Sequence, residues 1–246
     1  MTAERRALDR PAFYALRPGG WRDLVTLLHP PYTAWHLSYV AFGAAAAPTV
    51  HHDRLVATML AFFLGVGVSA HALDELAGRP LATRLSDGVL VALAVAGLVG
   101  AVGIGVAGAI TVSAGLVPFV VAGAFILVAY NLELFGGRFH TDLWFALSWG
   151  AFPALTSYWI NAQQLRVQGL LVAAGCFGLS VAQRRLSSPV RELRRRTVSL
   201  TGTQELTDGS SRELDIAVLA TPLDGALRAS AAALVLLSAG VLIPQL

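Results

Sequence analysis

Long apolar runs broken by short polar interruptions set the character of this chain. The longest lies between Asp87 and Glu133, where 45 residues pass without one Asp, Glu, Lys or Arg. A soluble core helix never needs that much uninterrupted apolar sequence, whereas two bilayer crossings of ~20 residues each do. Glycines at Gly100, Gly103, Gly105 and Gly108 predict a turn between the two. Charge-free runs bracket seven predicted helices, at 32–50, 55–76, 88–107, 109–129, 143–160, 167–183 and 228–243, the last of them short and weak. The runs are continuous and do not alternate with a period of two, which argues against a strand-built barrel. The expected fold is an all-α integral membrane protein with about seven transmembrane helices.

Ahead of the first run, Trp21, Leu24, Val25 and Leu28 recur at i, i+3, i+4 and i+7, and Pro30 and Pro31 close the pattern. This predicts a helix lying in the membrane interface. Gly97, Ala101 and Gly105 place small residues at i, i+4 and i+8, the pattern of close helix contact inside a bundle. The one long polar stretch, 184–227, opens as "RRLSSPVRELRRR", continues as "TGTQELTDGSS", and reads as a basic loop. The organisation expected is an N-terminal segment (1–31), a six-helix core (32–183), the basic loop (184–227) and a seventh helix (228–246).

Composition sharpens this reading. Hydrophobic residues make up 55% of the chain and charged ones 13%, about half the charge of a soluble domain, so little remains for a separate water-facing domain. The 18 basic residues are all arginine. Without lysine there is no Schiff base to retinal or pyridoxal phosphate and no P-loop nucleotide site. Sixteen of the 18 fall on one side of the predicted topology, and only Arg54 and Arg166 on the other. By the positive-inside rule the arginine-rich side is cytoplasmic, which puts the N-terminus inside a multi-pass cell-membrane protein. No cleavable signal is expected, because the first apolar run begins only near Leu24. Cys176, the single cysteine, makes no internal disulfide and reads as a packing residue. Membrane lipid is the expected surrounding partner, and no nucleic acid is expected.

Candidate chemistry sits in three polar segments on the arginine-rich side. In "SAHALDELAGRPLATRLSD", His71, Asp74 and Glu75 fall at i, i+3 and i+4 and share a helix face. Two carboxylates there suit a hard divalent cation such as Mg²⁺, while a solvated helix end with an Asp–Arg pair explains the same spacing. In "AYNLELFGGRFHTD", Tyr130, Asn131, Glu133, Arg138, His140 and Asp142 surround Gly136 and Gly137. That density predicts a cavity mouth where Arg138 grips an anion, with an ordinary short loop as the alternative. The third segment carries Arg191, Arg194 and Arg195, which suit anionic lipid headgroups or a phosphate clamp. His29, His36, His51 and His52 are scattered and lack metal spacing.

Together these segments resemble the UbiA superfamily of intramembrane prenyltransferases. "LLHPPYTAWHLSYVAFGAAAAP" is similar to that family's first helix, "HALDELAGRPLATR" to its first aspartate-rich motif with an Arg-Pro-Leu tail, and "AYNLELFGGRFHTDLWFALSWGAFP" to its central loop. "RRRTVSLTG" is faintly similar to the segment after its second aspartate motif. The resemblance implies a UbiA-like bundle in which Mg²⁺ holds a prenyl diphosphate at the cytoplasmic face. It casts Asp74 and Glu75 as metal ligands, Asp74, Glu75 and Tyr130 as catalytic residues, and Arg79, Arg138, Arg191, Arg194 and Arg195 as phosphate-binding residues. The sequence departs from the pattern at Ala70, His71 and Gly78 in the first motif and at Leu186 and Val190, which stand where the second motif has aspartates. Two functions therefore stay open: a prenyltransferase, or a non-catalytic lipid-binding or accessory subunit.

Overall fold

The computed structural model describes residues 10–245, so Arg5 and Arg6 lie outside it. The chain is 74% helical. Each predicted apolar run falls on a helix. A short α1 (Trp21–Leu27) precedes α2 (Pro30–Ala45), α3 (His52–Leu76), α4 (Asp87–Thr111), α5 (Ala114–Asn131), α6 (142–162), α7 (Val167–Arg195) and α8 (Ile216–Leu242). Among the described residues, four helices are long and apolar enough to cross a membrane: α3, α4, α5 and α8 with its terminal turn, which ends at Gln245. This is an all-α architecture of the membrane-protein kind. Helix α2 has only 16 residues and α7 carries arginines, so neither meets that measure of length and apolarity.

Two boundaries differ from expectation. The predicted basic loop is largely helix, because α7 runs on to Arg195 and α8 starts at Ile216. The arginines that mimicked a loop lie on α7, where Arg194 forms a buried ion pair with Asp224 of α8. Asp215 caps α8 by accepting from the Val218 amide at 2.9 Å. Between the two helices stands an exposed antiparallel hairpin, β1 (Gly202–Glu205) and β2 (Ser211–Leu214). The turn joining α4 to α5 lies at Val112–Ser113, beyond the glycines, where the Ser113 hydroxyl accepts from the Gly115 amide. Of those glycines, Gly100, Gly105 and Gly108 serve close packing instead, as does Gly97. A Cβ on Gly97 would stand 2.6 Å from the Leu64 carbonyl of α3, and one on Gly105 would stand 2.5 Å from Val120 of α5.

Successive helices run up and down, giving the bundle two ends. At one, the His51 amide donates to Asn161 (2.8 Å), Arg54 donates to the Ile160 carbonyl (3.0 Å) and Gln245 donates to the Ala45 carbonyl (3.0 Å). At the other, Arg84 bonds to Asp23 through its amide, Arg184 pairs with Asp142, and Arg194 donates to the Arg10 carbonyl. Helix α2 is central, packed on α6 and α8; at Gly43 its backbone approaches Ala154 so closely that no Cβ fits. Helix α1 turns Asp23, Thr26 and Leu27 inward and leaves Trp21 and Leu24 exposed, the inverse of a water-facing amphipathic helix. Two helices also contain π-helical turns, Phe63–Ala70 in α3 and Leu147–Ala151 in α6.

Candidate functional site

At the arginine-rich end the helices diverge around a polar chamber of about 490 Å³. On α2, Tyr32 and His36 are one turn apart and face it; on α3, so do His71 and Asp74. Helix α5 contributes Tyr130. Helix α7 contributes Gln183, Ser187, Arg191 and Arg195, spaced by four so that all four share one face. The N-terminal segment crosses the mouth and supplies Phe13 and Tyr14. It is held by Arg195, whose Nε donates to the Pro11 carbonyl at 3.1 Å, and by Arg228, whose guanidinium lies 4.8 Å above the Phe13 ring.

Of the histidines that looked scattered, His29 and His36 meet here, joined by His71 and His140. The rings of His29 and His71 stack at 4.0 Å, and Tyr14 hydrogen-bonds His29 Nδ1 at 2.9 Å. His36 Nδ1 donates to the Trp149 carbonyl (2.7 Å), His71 Nδ1 to Gly67 (3.1 Å) and His140 Nδ1 to Tyr130 (3.0 Å). A carbonyl only accepts, so each of these nitrogens carries the proton, and a neutral ring then offers Nε2 as an acceptor. Burial, reinforced by His71 and the nearby Arg195 and Arg191, holds the pKa of His29 well below the usual imidazole range. Burial likewise pushes the Tyr14 phenol well above its ordinary value. Three polar atoms of wall residues are buried without a hydrogen-bond partner, His29 Nε2, Gln183 Oε1 and Asp224 Oδ1. Such atoms carry a desolvation cost that a bound ligand would relieve.

The expected site residues divide sharply. Asp74, Tyr130, Arg191 and Arg195 line the chamber together, and Arg191 and Arg195 lie within electrostatic reach of Asp74. Arg194 does not line the chamber; it pairs with Asp224 of α8, which does. Arg79 pairs with Asp87, and Arg138 is exposed; neither lines the chamber. Glu75 is fully buried and does not line the chamber. Its carboxylate accepts from the Leu81 amide (2.9 Å), the Thr83 amide (2.8 Å) and the Thr83 hydroxyl (2.8 Å), fixing the loop that leads to α4. That bracing holds Arg79 and Ala82 in left-handed backbone conformations, at φ 57° and 52°.

A Mg²⁺ held jointly by Asp74 and Glu75 does not fit this arrangement, since only Asp74 faces the chamber. Among the described residues no group of three His, Cys, Asp or Glu is placed to hold a metal ion. Where the resemblance calls for carboxylates on α7, the chamber wall shows Val190 flanked by Ser187 and Arg191. The signal that would have flagged His36 and Gln183 was in the sequence, because polar residues inside an apolar helix mark function by default. Comparison with protein-family models, curated proteins and solved structures returns no match.

Proposed function

We propose that this chain is a seven-helix membrane protein of UbiA-like plan, with its N-terminus cytoplasmic, whose chamber binds the phosphate head of a prenyl diphosphate or other lipid-linked phosphate. The observation that carries the reading is the pairing of Arg191 and Arg195, one turn apart on α7, with the buried and unpartnered His29 Nε2 and Gln183 Oε1 in one concave site. Guanidinium groups hold phosphate oxygens directly through charge-assisted hydrogen bonds. Tyr32, Tyr130, Phe145 and Trp149 give the same site aromatic walls, an environment that tolerates developing positive charge once a diphosphate departs. Asp74, one of three carboxylates on the wall with Glu192 and Asp224, is positioned to accept a proton or meet a cation that accompanies the ligand.

A second reading, a non-catalytic lipid-binding or accessory subunit, is favoured by one feature. With Val190 and Ser187 on the α7 wall, that helix presents among the described residues a single carboxylate, Glu192, and no cluster of them. Arginine cannot reorganise its coordination as pyrophosphate leaves, so binding is expected to be easier to detect than turnover. The test uses the purified chain in nanodiscs with inorganic pyrophosphate, a prenyl diphosphate and candidate acceptors, with and without Mg²⁺. Binding weakened by Arg191→Gln supports the site, and no pyrophosphate binding under any condition overturns it. Product formation in the same vessel decides for the transferase over the accessory subunit.

A further inference from the structure

A second cavity, of about 320 Å³, lies between α3, α4, α5 and α6. Its walls are apolar and made from small residues, Ala57, Ala61 and Gly65 on α3 and Ala101 on α4, closed by Leu127 and Phe152. Two side chains line both this groove and the polar chamber, Val66 and Trp149. Each sits in a π-helical turn, Val66 within Phe63–Ala70 and Trp149 within Leu147–Ala151. Such turns hold well under 1% of residues in ordinary proteins and concentrate at functional sites. Two independent helices therefore spend their irregular turns at one junction. The backbone there is anchored by His36, which holds the Trp149 carbonyl, while the Trp149 ring stands edge-on to Tyr130 at 5.7 Å.

Resting on the phosphate-head reading of the chamber, we infer that the ligand's single apolar chain passes between Val66 and Trp149 and lies in this groove. The wall that the groove shares with the chamber, Val66 and Trp149, favours the ligand's own chain over an independent bilayer lipid. The groove also sets a length. Its far end is the polar pair of residues Asp53 and Arg54, where Arg54 is tied to the Ile160 carbonyl. From Arg54 to Val66, α3 rises ~18 Å at 1.5 Å per residue. An extended chain advances ~1.2 Å per bond, as an extended polypeptide does, so ~15 main-chain carbons fill the groove. A longer chain meets charge at the far end and must bend out toward lipid.

The groove is open at Gly65, where an added Cβ would touch Leu127 at 3.6 Å and Ala101 at 3.7 Å; a bulkier side chain there blocks the passage. Two measurements test this on the purified full chain in detergent micelles. In the first, n-alkyl diphosphates from five to twenty carbons (~5–20, bracketing the length above) are titrated against the unmodified chain and against Gly65→Leu. Affinity is expected to rise up to ~15 carbons and then stop rising. Gly65→Leu should weaken the fifteen-carbon compound at least ~tenfold, about 1.4 kcal/mol, and leave inorganic pyrophosphate unchanged. In the second, a fifteen-carbon diphosphate with a terminal diazirine is irradiated on the unmodified chain, which decides the matter even if Gly65→Leu fails to fold. Crosslinks at 54–58 of α3 and 108–112 of α4 are expected. Crosslinks spread over the lipid-facing surface, or affinity indifferent to chain length while pyrophosphate still binds, overturn the groove alone. Absence of pyrophosphate binding overturns the chamber reading beneath it.

Discussion

Replacing Glu75 separates a metal ligand from a structural brace. Its carboxylate accepts three hydrogen bonds, from the amides of Leu81 and Thr83 and from the Thr83 hydroxyl, and the side chain has no exposure. Glu75→Ala leaves two backbone donors buried without acceptors, each costing ~1–3 kcal/mol. Removing the buried side chain adds a cavity, so the total is ~3–6 kcal/mol, large against ordinary stabilities of 5–15 kcal/mol. The loop 77–86 should loosen first, because Glu75 is what holds Ala82 in its left-handed conformation. Limited trypsinolysis in detergent reads this directly as new cleavage after Arg84, together with a lowered melting temperature. Asp74→Ala, by contrast, should leave the melting temperature within a few degrees and the loop protected, and change ligand binding instead. An unchanged melting temperature and unchanged trypsin protection in Glu75→Ala, with Mg²⁺-dependent diphosphate binding lost, would refute the brace and restore the paired metal ligand.

Further outcomes follow from the same geometry. Arg191→Gln and Arg195→Gln should each weaken pyrophosphate binding by ~10–100-fold, the worth of a charge-assisted hydrogen bond, whereas Arg79→Gln and Arg138→Gln should leave calorimetric affinity unchanged. Asp224→Ala should destabilise the fold by ~3–5 kcal/mol by stranding a buried guanidinium, and Arg194→Met with Asp224→Leu should recover most of that loss in thermal unfolding. His29 has a depressed folded pKa, so its contribution to stability is full above the unfolded value near 6.5 and is lost as pH falls below it, by at most ~1.4 kcal/mol per pH unit. The groups that face it are Tyr14, Tyr32, His36, His71, Arg191 and Arg195. Melting temperatures measured from pH 7.5 down to 5 should fall less steeply in His29→Asn, a residue that tolerates the left-handed backbone at φ 45°.

Outside α7 and α8, hydrophobic patterning alone located the helices, because an apolar run of bilayer-crossing length must satisfy its backbone internally. The sidedness of the arginines was equally legible: among the described residues only Arg54 and Arg166 lie at the far end of the bundle. Patterning misjudged α7 and α8 because charge was taken as a sign of loop. Arg191, Arg194 and Arg195 are charged yet helical, one set facing a cavity and Arg194 meeting Asp224 across the interface. Sequence also placed Asp74 and Glu75 on one helix face because they stand at i+3 and i+4 from His71, yet as neighbours they differ by 100° around the helix. That rotation is enough to turn one carboxylate into the chamber and the other into a loop's amides. Only tertiary structure could bring His29, His36, His71 and Gln183 together, because they come from separate segments whose meeting depends on helix packing at glycine contacts such as Gly43 and Gly97. The π-helical turns at Val66 and Trp149 were likewise invisible, being set by how three dimensions of packing accommodate an extra residue per turn and not by any local residue preference.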